Sequence, residues 1–453
     1  MNHRILLSTL LGIAAVSPYA VAGNYLHVLP TSLGVGAEGV LQLQLSADQP
    51  WSAFQLELEL PEGLTLGTLA NGAHAQASHT IGYASVATTR DGYAAYRLVG
   101  YSTENASYGS TEGIIVTLPV TASTLTEGTY PVYAHDLLLD NGDVDDEGAA
   151  LADVQGSYLT VGTPATQDIV LEGRVPGFVC DAMAADATLT SIDLTDATVA
   201  QSFTLQNPNA VVYTTAPALG FSNEVVDGEC QSLVLTDGYP YGAPLAFHAD
   251  NVSYQRTVTA STYWGTACLP FPLESDASVK YYQLQRIDEK ADGTATYIFQ
   301  SVSRVAAGTP CVFKKQVSGS TTFAPAATGV EILATADDLT DELPDLSDWT
   351  MHGTYGNEQF DVTDSQWSGT ALYYINGDKF WHATGSLQIN TFRGWFEYTG
   401  AVSAPYRFGI EEANGADGIE LIETSPEEMQ LRFDLMGRRV GEIRNSQFII
   451  HNS

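Results

Sequence analysis

The sequence predicts an all-β protein: an N-terminal jelly-roll-like β-sandwich, a short solenoid-like connector and a C-terminal β-sandwich-like domain. Three observations carry this. Apolar and polar side chains alternate with period two in short runs. Turn residues recur between those runs. Hydrophobic residues make up 44% of the chain, too many for a disordered polymer.

Residues 1–22 read as a signal peptide. A short polar start holds His3 and Arg4, an apolar run follows from Ile5 to Val16, and Ala20-Val21-Ala22 gives a small-x-small cleavage pattern. The apolar run is shorter than the ~20 residues a membrane helix needs. The mature chain, with no later apolar run of that length, is expected to be exported, at the cell surface or released. Export permits disulfides. Cys180–Cys230 and Cys268–Cys311 are the candidate pairs, with four buried thiols as the alternative.

Residues 23–163 form the first expected domain. LQLQLSA (41–47) is followed by AFQLELELPEG (53–63), in which Phe54, Leu56, Leu58 and Leu60 share one face and Gln55, Glu57 and Glu59 the other. AYRLVGYS (95–102), GIIVTLPVTA (113–122), TYPVYAHDLLL (129–139) and GSYLTV (156–161) supply further strands. The run of elements from WSAFQLELELPEGLTL through YRLVGYSTENASYGSTEGIIVTLPV to LTEGTYPVYAHDLLLDNGD resembles the cohesin-like domains of secreted Bacteroidota proteins. That resemblance implies a flattened jelly roll related to cohesins and carbohydrate-binding modules, and it transfers no contact residue.

Residues 164–235 read as a linker and connector, with short strands (LTSIDLTDA, NAVVYTT, QSLVLTDG) spaced like stacked rungs. They resemble the last turns of a leucine-rich solenoid, and so few rungs need a neighbour to bury their core. Residues 236–415 form the next domain. TYWGTACLPF and AGTPCVFKK resemble a paired "CLPF" β module of the same exported proteins. Asn376-Gly377-Asp378 marks a tight hairpin, with Asn376 and Gly377 expected at the two positive-φ positions. The tail, residues 416–453, contains RFDLMGRRV, which resembles the start of a Bacteroidota C-terminal sorting segment. NSQFIIHNS stands where that segment's second half belongs.

The 18 basic residues against 53 acidic ones give a net charge of −35, which argues against nucleic-acid partners. No nucleophile elbow, metalloprotease helix or phosphate loop is present. Asp140, Asp143, Asp145 and Asp146 stand in a Gly-containing loop whose oxygens suit calcium, the one cofactor the sequence suggests; the plainer reading is a solvated loop. The region 349–406 is dense in aromatic residues, which stack on sugar rings as readily as on one another. Adjacent pairs such as Phe380-Trp381 and Trp395-Phe396 must point to opposite sheet faces. Core or interdomain packing accounts for most of the set. Trp349 and Trp367, and Trp51 in the first domain, are the candidates for exposure and carbohydrate binding. The expected function is therefore non-enzymatic adhesion or binding of a glycan or surface protein. A polysaccharide-degrading component with a two-carboxylate site and a purely architectural spacer are the alternatives.

Overall fold

The computed structural model describes residues 24–412, apart from residues 48, 89, 110–111, 141–148, 152–154, 165, 200, 216–219, 290–293, 337–338, 344–345, 363–369 and 401–406. The signal-peptide and tail readings lie outside the described residues. The described residues are almost wholly β, in two compact units. One runs to Val252 and includes Thr328–Ala334; the other holds Ser253–Ala327 and Thr335 onward.

The first unit opens with a sandwich of strands β1 (Tyr25–Val28), β2 (Thr31–Leu33), β3 (Glu38–Ser46), β4 (Ala53–Pro61), β5 (Leu64–Leu66), β6 (Ala70–Asn71), β7 (His79–Val86), β8 (Tyr93–Ser102), β9 (Glu112–Ala122), β10 (Gly128–Asp140), β11 (Ala149–Leu151) and β12 (Gln155–Val161). One sheet runs β1-β3-β9-β5, with β6 also on β9; the other contains β12-β10-β4-β8-β7. Period-two alternation turns Leu41, Leu43 and Leu45 of β3 against Leu56, Leu58 and Leu60 of β4, and all are buried. Each such side chain contributes about 1.5–3 kcal/mol of hydrophobic stabilisation.

The second sheet does not stop at β12. β13 (Gln167–Val175) pairs parallel to it through Gln155 and Arg174. After helix α1 (Gly177–Ala185), β14 (Leu189–Val199), β15 (Val211–Thr214) and β16 (Glu224–Val226) add in parallel, one rung after another. The rungs meet their need for a neighbour by extending the sandwich sheet. Period-two reading did not foresee α1. Its signal was an Ala-rich run after Pro176, with Val179, Cys180 and Met183 buried on one side.

The rung turns are held by three buried asparagines. Asn207 donates to the carbonyls of Leu189 (2.8 Å) and Pro240 (2.9 Å). Asn209 donates to those of Thr236 (2.9 Å) and Tyr239 (2.8 Å), and its Oδ1 accepts the Thr236 N–H at 2.6 Å. Asn223 donates to the Pro208 carbonyl at 3.0 Å and accepts the Val234 N–H at 2.9 Å. Loop backbone that would otherwise be buried without partners is thus satisfied. β1 is tied to the first rung by aromatic and cationic contacts. His27, 2% exposed, stacks on Tyr25 and meets Phe178 edge-on, and the Arg174 guanidinium lies 3.9 Å from the Tyr25 ring centroid. Burial, helped by the Arg174 charge, pushes the His27 imidazole down to about 3.

The second unit stacks two five-stranded sheets. One has the order Trp264–Ala267, Cys311–Lys315, Val279–Glu289, Thr294–Val302, Arg407–Glu412; the other Leu339–Glu342, Trp349–Thr354, Arg393–Tyr398, Ala371–Asn376, Lys379–His382. Trp264, Tyr282, Tyr297 and Phe299 from the first sheet pack with Trp349, Tyr373, Phe380 and Phe396 from the second. The tight hairpin is present, shifted by one residue. Asn376 pairs with Lys379, so Gly377 (φ 60°) and Asp378 (φ 63°) are the positive-φ pair. Asp378 then caps a neighbouring strand, its Oδ1 accepting the N–H groups of Tyr263 and Trp264, both at 2.6 Å.

Neither candidate disulfide is present: Cys180, Cys230, Cys268 and Cys311 are all buried thiols, the alternative the sequence left open. Cys311 opposes Ala267 in the ladder, not Cys268, whose Sγ turns instead to the Gly308 carbonyl at 3.4 Å. Cys180 sits on α1 in an apolar cluster where a small side chain packs well, and Cys230 is buried on the strand Glu229–Cys230.

Candidate functional site

The proposed sugar platforms are not open. Trp51 is 3% exposed and Trp349 is 6% exposed, so neither indole presents a face to a ligand. Trp51 is in the sandwich core with its Nε1 3.3 Å from Asn24 Oδ1; Trp349 packs on Tyr373, Tyr398 and Tyr297. Ser347 and Asp348 do lie in a turn, but Trp349 opens the strand Trp349–Thr354 and its indole turns into the core. Trp367 lies outside the described residues. So do Asp143, Asp145 and Asp146 of the acidic loop, whose first member, Asp140, ends β10 and is exposed.

The Trp395-Phe396 pair points to opposite faces as expected, yet both of its faces are covered, whereas Trp381 beside the buried Phe380 is half-buried. Phe396 enters the core between the two sheets. Trp395, 7% exposed, packs on the other side with Leu372, Leu387 and Ile389, under the two-stranded ladder of Glu358–Asp361 and Ser386–Ile389.

The first unit offers an open surface instead, on the outer face of β7-β8-β4-β10. The strand registers set it out in rows. Thr80, Tyr101, Ala53 and Asp140 form the first; Gly82, Val99, Gln55 and Leu138 the second. Ala84, Arg97, Glu57 and His135 form the third, and Val86, Ala95, Glu59 and Tyr133 the fourth. The first two rows are open and carry three large apolar side chains, Tyr101 48%, Val99 38% and Leu138 39% exposed, beside Thr80, Gln55 and Asp140.

The far rows are ionic. Arg97 donates through Nε (3.1 Å) and Nη2 to Glu57 Oε1. Arg90, from the β7–β8 loop, lies 3.8 Å from the Tyr133 ring centroid and bridges Glu59 and Glu172. Glu59 is 7% exposed. Burial by itself would raise its carboxyl, but the hydrogen bonds from Thr88 and Arg90 and the Arg90 charge outweigh that and hold it below the usual range. Arg90 is desolvated too, yet its two carboxylates raise its already high value. The clamp spans β4, the β7–β8 loop and β13, and so fixes one end of the open face.

Sequence reasoning placed Gln55, Glu57 and Glu59 on one strand face. It did not find their partners on β8 and β10, because register between distant strands is not written in local alternation. Among the described residues, no helix is long and apolar enough to cross a membrane.

No family model matches the chain. No curated protein matches it either. Solved structures with a similar segment include cohesins. A non-cellulosomal cohesin from Archaeoglobus fulgidus is 12% identical over 31% of this chain and 93% of its own, with a TM-score of 0.24. The sixth cohesin of scaffoldin B from Acetivibrio cellulolyticus, solved with a dockerin, is 15% identical over 31% and 99%, with a TM-score of 0.24. A cohesin from Clostridium acetobutylicum is 15% identical over 31% and 91%, with a TM-score of 0.22.

Proposed function

We propose that this is an exported, non-catalytic binding protein that engages a protein partner through the outer face of β7-β8-β4-β10. The observation that carries the reading is the set of Tyr101, Val99 and Leu138, three large side chains open to solvent on β8 and β10, the two strands that flank β4. An apolar centre with Tyr and Arg nearby is the composition of a protein-binding surface. Asp140 and the Glu57–Arg97 pair border it, and the chain carries a net charge of −35. The fitting partner therefore has an apolar centre and a basic rim, steered to the face by charge. A glycan reading retains only Trp367 of its three named tryptophans.

The test is site-specific photo-crosslinking with the full chain. A photoreactive residue is placed at position 101, at position 99, or at the exposed Leu333 as a control. The chain is then presented to surface and secreted proteins of its source. The reading expects one common adduct from 101 and 99, absent from 333 and competed away by unlabelled protein but not by its Val99→Asp variant. Equal adducts from all three positions, or none from 101 and 99, would overturn it.

A further inference from the structure

Consecutive residues of a strand point to opposite faces, but His135 and Asp136 do not. The β10–β4 register slips between His135 and Leu138, and Asp136 adopts φ 51°. An aspartate is among the few residues that visit this left-handed region readily. Such bulges re-aim a side chain, and here the Asp136 carboxylate swings to the His135 ring, Oδ2 to Nδ1 3.0 Å. Glu57 stands directly across the ladder from His135. One ligand atom from each of the three lies within 4.8 Å of the others.

We propose that Glu57, His135 and Asp136 form a site for one divalent transition-metal ion of the zinc class. One imidazole and two carboxylates suit zinc and its neighbours; an all-oxygen shell would suit calcium. Around a tetrahedral zinc, ligand atoms stand about 3.4 Å apart, so small side-chain rotations close the set. Two further contacts fit the role. His135 Nε2 faces Glu59 Oε1 at 3.9 Å, and Arg90 and Thr88 anchor that carboxylate. The Glu59 charge behind the far nitrogen favours the tautomer with the proton on Nε2, which leaves the Nδ1 lone pair for the ion. Arg97 holds Glu57 through Oε1 alone, which leaves Oε2 for the ion. Asp136 is 61% exposed, so the fourth position opens to solvent. The site stands whether or not the neighbouring open rows bind a partner.

The experiment is titration of the chelator-stripped full chain, carrying no histidine tag, with zinc chloride by calorimetry and with cobalt(II) by visible absorption. One saturable ion per chain is expected. His135→Ala and Asp136→Asn should each weaken it by about tenfold or more; asparagine keeps the left-handed backbone, so this variant folds. Arg97→Gln should tighten binding, because a cation leaves the ligand Glu57. No saturable zinc up to millimolar concentration would overturn the proposal. So would affinity unchanged in both His135→Ala and Asp136→Asn, which would place the ion elsewhere and leave a plain His–Asp pair in the bulge.

Discussion

The second sheet of the N-terminal sandwich and the aromatic sheet of the C-terminal unit begin from the same sequence pattern and end differently. In the first, Phe54, Leu56 and Leu58 face the core, while Tyr101, Val99 and Leu138 face solvent. In the second, Phe396 faces one core and Trp395 another, with a two-stranded ladder closing over the outer side. Alternation states which side chains share a face. It does not state what covers that face, and a binding surface is defined by the covering.

The comparison breaks most readily at Trp349. Its truncation to alanine should cost about 3–5 kcal/mol and lower the melting temperature of the C-terminal unit. If thermal unfolding of Trp349→Ala is unchanged while ligand binding is lost, the indole is a platform after all. Next comes the connector. Asn209→Ala strands the loop groups of Thr236 and Tyr239 and should cost about 1–3 kcal/mol. Denaturant melts of this variant should show the loss, since the midpoint moves with stability.

A third test concerns the buried end of the first sandwich. His27 is held neutral when folded, its value pushed down to about 3, against 6.5 ordinarily. Between those values the unfolded chain binds the extra proton, so stability falls as pH drops from 6.5 toward 3, by about 1.4 kcal/mol per unit. His27→Leu should flatten that part of the stability–pH curve; an unchanged slope would mean that His27 is hydrated and protonates in place. Glu59 acts in the same direction below its ordinary value of 4.5, because its folded carboxyl is held low. The smallest effect is expected on the open face. Tyr101→Asp should change stability by no more than about 0.5 kcal/mol while abolishing partner capture. A large loss of stability there would show that the face is covered.

Much of the architecture was legible. The leucines of 41–45 and 56–60 gave the sandwich core because half-buried antiparallel strands repeat every two residues. The rungs at 189–194 and 211–214 were visible as short apolar strands between Asn and Pro. What fixed them was not: Asn207, Asn209 and Asn223 read as turn formers until their carbonyl partners, 11 to 33 positions away in the chain, were seen. The hairpin at 376–378 was placed one residue early, since Asp378 shares asparagine's tolerance of positive φ. The site was the least legible part. His135 and Asp136 are adjacent in the sequence, and only the bulge makes them neighbours on one face. Trp51 and Trp349 looked exposed because polar residues flank them, yet flanking polarity reports where a strand ends rather than which way its indole turns.

The central claim, an open face on one sandwich and closed faces on the other, is tested most directly by hydroxyl-radical footprinting of the intact chain with residue-level mass spectrometry. Tyr101 is expected to oxidise rapidly, with Trp51, Trp349 and Trp395 strongly protected despite the higher intrinsic reactivity of indole. Protection of Tyr101 together with rapid oxidation of Trp349 or Trp395 would contradict the account.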